Sequence, residues 1–136
     1  MSEGFALPAG ARPGPNCGVT AVAVAAGCPF EDAWRVMSAG KRGNWKGRTT
    51  HNERLAALRW FGVRFRPINF LFRETLVSFV RRRAEPGRLY YVWTTGHVQM
   101  VRDGVVLDQL GPKPIHAFWG RRKLIRSVLL IEEGAR

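Results

Sequence analysis

Three residues far apart in the chain, Cys17, His97 and Asp108, carry the types that together perform nucleophilic chemistry. Cys17 stands in PGPNCGVTAVAVAAG (residues 13–27), at the head of a run of small and apolar residues. Such a run, apolar on nearly every side, predicts a helix buried inside the domain. A thiol attacks only as thiolate, and the free N–H groups and dipole of a helix start lower its pKa. An adjacent imidazole completes the activation and can later protonate a leaving group. A carboxylate on the far side of that imidazole fixes its tautomer and steadies its charged form.

The imidazole and carboxylate come from TTGHVQMVRDGVVLDQ, residues 94–109. Asp103-Gly104, flanked by β-branched residues, predicts a hairpin with a two-residue turn that pairs Arg102 with Val105. In that register Gln99 lies opposite Asp108, and His97 opposite Leu110. His97, Gln99 and Asp108 therefore share a face, with His97 and Asp108 diagonal neighbours about 7–8 Å apart in backbone. The polar outer face of an ordinary hairpin has the same description, and it is Cys17 that turns the pair toward chemistry. The other cysteine, Cys28, has no helix start behind it and reads as a buried, inert thiol. Geometry argues against a disulfide between the two. The ends of a helix over 17–26 stand about 15 Å apart, against the roughly 7 Å that a disulfide tolerates.

The elements that must position these residues follow from period and punctuation. Residues 1–15, rich in Gly, Pro and Ala, read as an extended N-terminal arm. After the Cys17 helix, Gly27 supplies a stop and Pro29 opens a second helix, with Glu31 and Asp32 in its first turn. Phe30, Ala33, Trp34 and Met37 make its apolar face. SAGKRGNWKGRTT (38–50) is a basic, Gly-rich loop that fits no Walker A spacing. It reads as a solvent loop or as a grip for a nucleic acid strand. Thr50 and Glu53 form a capping box for a third helix, whose first turn holds His51 in an exposed structural role. VRFRPI predicts a short strand. RETLVSFVRRR predicts a fourth helix with Leu76, Phe79 and Val80 inward and Arg81–Arg83 in water. From residue 88 the period becomes two, in RLYYVWT, HVQMVR, VVLDQ, IHAFWG and LIRSVLLI. Within IHAFWG, His116 and Trp119 read as neighbours of the site or, by preference, as packing residues. Helices crowd the first half and strands the second, which makes the fold class α+β with an antiparallel sheet, in one domain over 1–136.

Composition bounds the setting. The chain carries 22 basic and 10 acidic residues, a formal net charge of +12, which favours anionic partners such as nucleic acid or acidic polypeptide. No run approaches a membrane span, and MSEGFALPAG lacks the layout of a signal peptide, so a cytoplasmic protein without a membrane role is expected. Two cysteines and no CxxC pair suggest neither a disulfide framework nor a zinc knuckle, and neither metal nor cofactor is expected.

NCGVTAVAVAAG, CPFEDAWRVM and GHVQMVRDGVVLD, in that order, resemble the papain-like cysteine peptidase superfamily. The likeness is to its small bacterial and phage members, some grouped with bacteriocin-leader-processing peptidases. It spans roughly residues 15–110. It implies a central Cys-bearing helix packed on an antiparallel sheet, with Cys17 as nucleophile, His97 as base and acid, and Asp108 as orienting group. It further implies a peptide or protein substrate cleaved through an acyl-enzyme, with acyl transfer left open. The chain departs from the pattern at Ala11, where the superfamily usually has a Gln completing the oxyanion hole. Asn16 is the best side-chain substitute, with Gln99 and Gln109 more remote. That departure and the charge support a rival expectation, a basic binding module with weak or lost catalysis. Such a module would be a phage accessory or virion protein, or a binder of nucleic acid or host protein. Peptidoglycan cleavage is a third option and requires delivery by export or a virion.

Overall fold

The structure is a computed structural model that describes residues 5–133. It is α+β: a six-stranded antiparallel sheet with helices on both faces. In chain order the elements are α1 (Cys17–Ala26), α2 (Phe30–Ser38), α3 (His51–Trp60), β1 (Phe65–Pro67), α4 (Leu76–Arg82), β2 (Leu89–Thr94), β3 (His97–Arg102), β4 (Val105–Asp108), β5 (Gly111–Pro114), a 3-10 turn at Ile115–Ala117, and β6 (Ile125–Ile131). The strands lie in the order β1-β6-β2-β3-β4-β5.

Alternation along the strands feeds two cores. Leu89, Tyr91, Val98, Met100, Leu107, Leu129 and Ile131 face α1–α3, where Val19, Val22, Phe30 and Leu58 are fully buried. Tyr90, Val92, Val101, Val106, Val128 and Leu130 face Leu76 and Phe79 of α4, with Ile115 and Phe118. β2 is therefore apolar on both faces. α1 lies between the sheet and its neighbouring helices, which is why its sequence has no polar stripe. It ends where Gly27 adopts φ 68°, a left-handed cap that glycine reaches without strain.

Most expected elements form. The capping box is present in both directions: Glu53 N–H donates to Thr50 Oγ1, and Thr50 N–H to Glu53 Oε1. The 103–104 turn has positive φ at both residues, 50° and 76°, which is the backbone a two-residue hairpin requires. Arg102 pairs with Val105, as the turn chemistry implies.

Three expectations need correcting. IHAFWG is no strand, because residues 115–117 make a 3-10 turn and Phe118 plugs the second core. The strand beside β4 is GPKP, an edge position where prolines cost no ladder bonds on the open side. Arg83 does not simply project into water: it bonds the buried Glu74 carboxylate at 2.9 and 3.0 Å. The N-terminal arm is anchored over its described part. Phe5 is buried, Ala9 C=O accepts from Phe30 N–H, and Arg12 lies over the Trp34 ring at 4.2 Å. Residues 1–4 of that arm lie outside the described residues.

Candidate functional site

Cys17, His97 and Asp108 each sit at the end of an element, and the topology brings those ends together. β3 begins at His97 after a turn through Thr95 and Gly96, and β4 ends at Asp108, so the two residues lie at one end of adjacent strands. α1 packs on the same strands and starts at Cys17. His97 Nε2 lies 2.9 Å from Asp108 Oδ2, and the Cys17 sulfur is the ring's other electrostatic partner. With Nε2 committed to the carboxylate, Nδ1 is the nitrogen left for sulfur.

Asp108 is held as an acceptor on both oxygens. Leu110 N–H donates to Oδ1 at 2.9 Å, and Trp119 Nε1–H to Oδ2 at 3.3 Å. The imidazole must therefore donate Nε2–H, which fixes the tautomer. Trp119 also sets its ring edge against His97, centroids 4.9 Å apart, so it roofs the pair as well as bonding it. His116 is exposed.

The electrostatics favour charge separation. Burial pushes the Cys17 thiol up. The hydrogen bond and charge of His97, the Val98 N–H and the charge of Arg54 outweigh it and leave the pKa below its ordinary value. Burial likewise opposes the imidazolium, yet the bonds and charges of Asp108 and Cys17 raise His97 from 6.5 to about 9. Asp108 is held below its usual value: burial raises it, but His97, the Leu110 N–H and Trp119 prevail. All three directions favour the thiolate–imidazolium–carboxylate form over the neutral thiol and imidazole. Cys28 goes the other way, pushed up first by burial and then by Asp32.

The cluster opens on a cleft of about 810 Å³, walled by α1, the 47–50 loop, the start of α3, and the β2–β3 turn. The end of the 38–50 loop, residues 47–50, is thus part of the site. Trp45 packs on Trp34 at 4.8 Å, and Gly47 (φ 108°) presses on Asn16 so closely that a Cβ there would come within 2.9 Å. Thr49 then crosses Gly18, where a Cβ would sit 2.0 Å from Thr49 Oγ1. Only glycine after the cysteine lets this wall approach.

The structure does not bring the two expected supporting amides to the sulfur. Asn16 is buried and spends its NH₂ on the carbonyls of Arg12 and Pro13, at 2.9 and 3.4 Å, while Oδ1 accepts from Thr20. Local closure of the 12–16 loop wins over the cleft. Gln99 shares the expected sheet face but is fully buried, and its Nε2 donates to Val92 C=O at 2.6 Å. Gln109 is the amide that lines the cleft, and its Oε1 is buried without a partner. Ala11 packs against the first core and offers no donor side chain.

Arg54, His51 and Trp93, with the buried Tyr91 behind them, complete the wall without a signal in motif spacing. Arg54 is 5% exposed, donating Nε–H to Tyr91 OH at 2.7 Å and Nη1–H to Thr49 C=O and Oγ1 at 3.1 and 3.0 Å. Tyr91 OH also lies 3.0 Å from His51 Nδ1, and His51 stacks on Trp93 at 4.4 Å. His51 is therefore no exposed helix-start residue. Burial and then Arg54 hold its pKa low, which favours the neutral ring, and its Nδ1 shares a hydrogen bond with the Tyr91 hydroxyl. Among the described residues no group of three or more His, Cys, Asp or Glu could hold a metal, and no helix is long and apolar enough to cross a membrane. Compared with protein-family models, curated proteins and solved structures, the chain matches none.

Proposed function

We propose that this chain is a thiol hydrolase of papain-like architecture that cleaves a peptide or isopeptide bond through a Cys17 acyl-enzyme. One observation carries the reading: a cysteine at a helix start and an imidazole hydrogen-bonded to a buried carboxylate converge on one cleft and shift each other's proton affinity toward the ion pair.

The chemistry follows from that chain. The Cys17 thiolate attacks the substrate carbonyl carbon and a C–S bond forms. The oxygen takes the charge at the start of α1, where the Cys17 N–H has no intrahelical partner. The His97 imidazolium gives its proton to the departing amine as the C–N bond breaks, leaving neutral imidazole and a thioester. That imidazole then takes a proton from water, whose oxygen displaces the thiolate and releases the acid. An amine in place of water gives acyl transfer from the same geometry. Asp108 and Trp119 keep the ring in register throughout.

Iodoacetamide tests this directly. Cys17 should be labelled stoichiometrically below pH 7, well under the ordinary thiol range near 8.5, and His97→Ala should abolish the acid-side reactivity. Labelling that rises only toward pH 8–9, unchanged by His97→Ala, defeats the proposal.

The net charge of +12 and the missing donor at Ala11 favour a second reading, a basic binding module on the same scaffold. Its mark is DNA or RNA binding with steep salt dependence that persists in Cys17→Ala.

A further inference from the structure

Arg54 is a buried cation without a carboxylate. Among the described residues none of the ion pairs involves it. Its bonds run through Nε and Nη1 to neutral oxygens, which leaves the Nη2 edge of the guanidinium for a ligand. It lines the cleft and lies against the residue after the nucleophile, since a Cβ on Gly18 would meet Arg54 Cδ at 3.0 Å. The cleft wall contains no Asp or Glu, and Arg48 adds a second cation at its exposed rim. Two ten-residue helices, α1 and α3, also begin there and turn their positive dipole ends inward.

A desolvated charge is costly unless it is compensated. In the free protein Arg54 and the Cys17 sulfur interact electrostatically, the guanidinium favouring the thiolate. That interaction ends when the sulfur is acylated, because the thiolate charge is consumed in the C–S bond. The Asp108 carboxylate remains, but it is bonded to His97, the Leu110 N–H and Trp119 and not to Arg54. Through the lifetime of the thioester no carboxylate among the described residues lies within ion-pair distance of Arg54. Resting on the hydrolase reading, we infer that the substrate supplies the missing anion: a carboxylate close to the scissile carbonyl, from an acidic side chain or a free C-terminus, bound by Arg54. A guanidinium's fixed fork suits a carboxylate, and such charge-assisted bonds are the strong ones.

Two alkylating reagents that differ only in the group at issue provide the test. Iodoacetate and iodoacetamide both undergo displacement of iodide by the Cys17 sulfur. One carries a carboxylate and the other an amide. The ratio of their rate constants on the intact protein should exceed that for free cysteine in the same buffer by about tenfold or more, the worth of one hydrogen-bonded charge. His97 also draws anions, so the Arg54 share is read from Arg54→Gln, which should lower the ratio by about tenfold. Arg54→Lys keeps the charge and should stay above the free-cysteine ratio. It serves if the Gln variant fails to fold. Calorimetry with Cys17→Ser then separates the sources. Acetyl-Ala-Ala-Glu-Ala-amide binding more tightly than its Gln isostere assigns a side chain. Acetyl-Ala-Ala-Ala with a free acid binding more tightly than its amide assigns a C-terminus. A wild-type ratio equal to that of free cysteine, a ratio unmoved in folded Arg54→Gln, or no preference for either acid overturns the carboxylate assignment and leaves the hydrolase standing. Failure of both reagents to label Cys17 overturns the hydrolase itself.

Discussion

Replacing Asp108 by Asn keeps the shape of the side chain and removes its charge, and the local donors make the outcome calculable. Three N–H groups, from His97, Trp119 and the Leu110 backbone, converge on the two oxygens. An amide must put its NH₂ at one of those places, so one N–H will face another. Turned toward Leu110, the amide still accepts from His97 but without charge. Turned toward His97, it forces the other tautomer and puts a proton on the nitrogen that should take one from sulfur. His97 in the intact site sits at about 9 against 6.5, a gain in proton affinity of roughly 300-fold shared between Asp108 and Cys17. A hydrogen bond to a charged group contributes about 1.5–3 kcal/mol, so Asp108→Asn should cost about 10- to 100-fold in the thiolate–imidazolium population. The assay is the second-order rate of Cys17 carboxamidomethylation at pH 6, with the His97 ring titration followed by NMR in parallel. Burial, the largest influence on the ring, acts downward and persists, so the His97 midpoint should fall. A folded Asp108→Asn protein that labels like wild type, with an unmoved midpoint, would show that the carboxylate does not support the pair.

Further outcomes follow from single contacts. Trp119→Ala removes the roof and one bond to Asp108, and should slow labelling at pH 6 by about 3- to 10-fold, the worth of one hydrogen bond. Because the ring is half exposed, the melting temperature should barely move. Gly18→Ala sets a methyl within 2.0 Å of Thr49 Oγ1 and 3.2 Å of Thr49 Cβ, and should cost about 1–3 kcal/mol in urea unfolding. Stability against pH has a worked sign. Stabilisation tied to His97's raised pKa is complete below pH 6.5 and is lost as pH rises through about 9. That tied to Asp108's lowered pKa is complete above its ordinary 3.8 and is lost on acidification. The unfolding penalty of Asp108→Asn should therefore be widest between about pH 5 and 8 and shrink on either side. A penalty independent of pH would place the loss in packing instead.

What the residues disclosed in advance was whatever depends on a few neighbours in the chain. The αL stop at Gly27, the capping box at Thr50 and Glu53, and the Asp103-Gly104 turn are local chemistry, and each forms. The turn alone propagates a register, and so puts His97 beside Asp108. IHAFWG misled because its apolar residues are spaced for a turn that drives Phe118 into the core, which alternation cannot distinguish from a strand. GPKP was hidden because two prolines argue against any strand except one on an edge, and edge status is a property of the finished sheet.

The site divides along the same line, and Arg54 shows why. Cys17, His97 and Asp108 are legible because each stands at an element boundary that local residues mark. Arg54 sits among helix residues whose pattern says only that a charged side chain should face water. It is buried because Tyr91 from β2 and Thr49 from the preceding loop offer oxygens to its Nε and Nη1, and because Gly18 from α1 makes room. No two of those residues are close enough in sequence to announce the arrangement. Asn16 is the converse case: it is next to the nucleophile in the chain, yet its own loop carbonyls, three and four residues back, claim its amide first. Local residues therefore mark Cys17 as the proposed nucleophile, and competition among donors in space decides which groups surround it. On that reasoning the charge facing the sulfur comes from α3, and a substrate that leaves Arg54 uncompensated should acylate slowly.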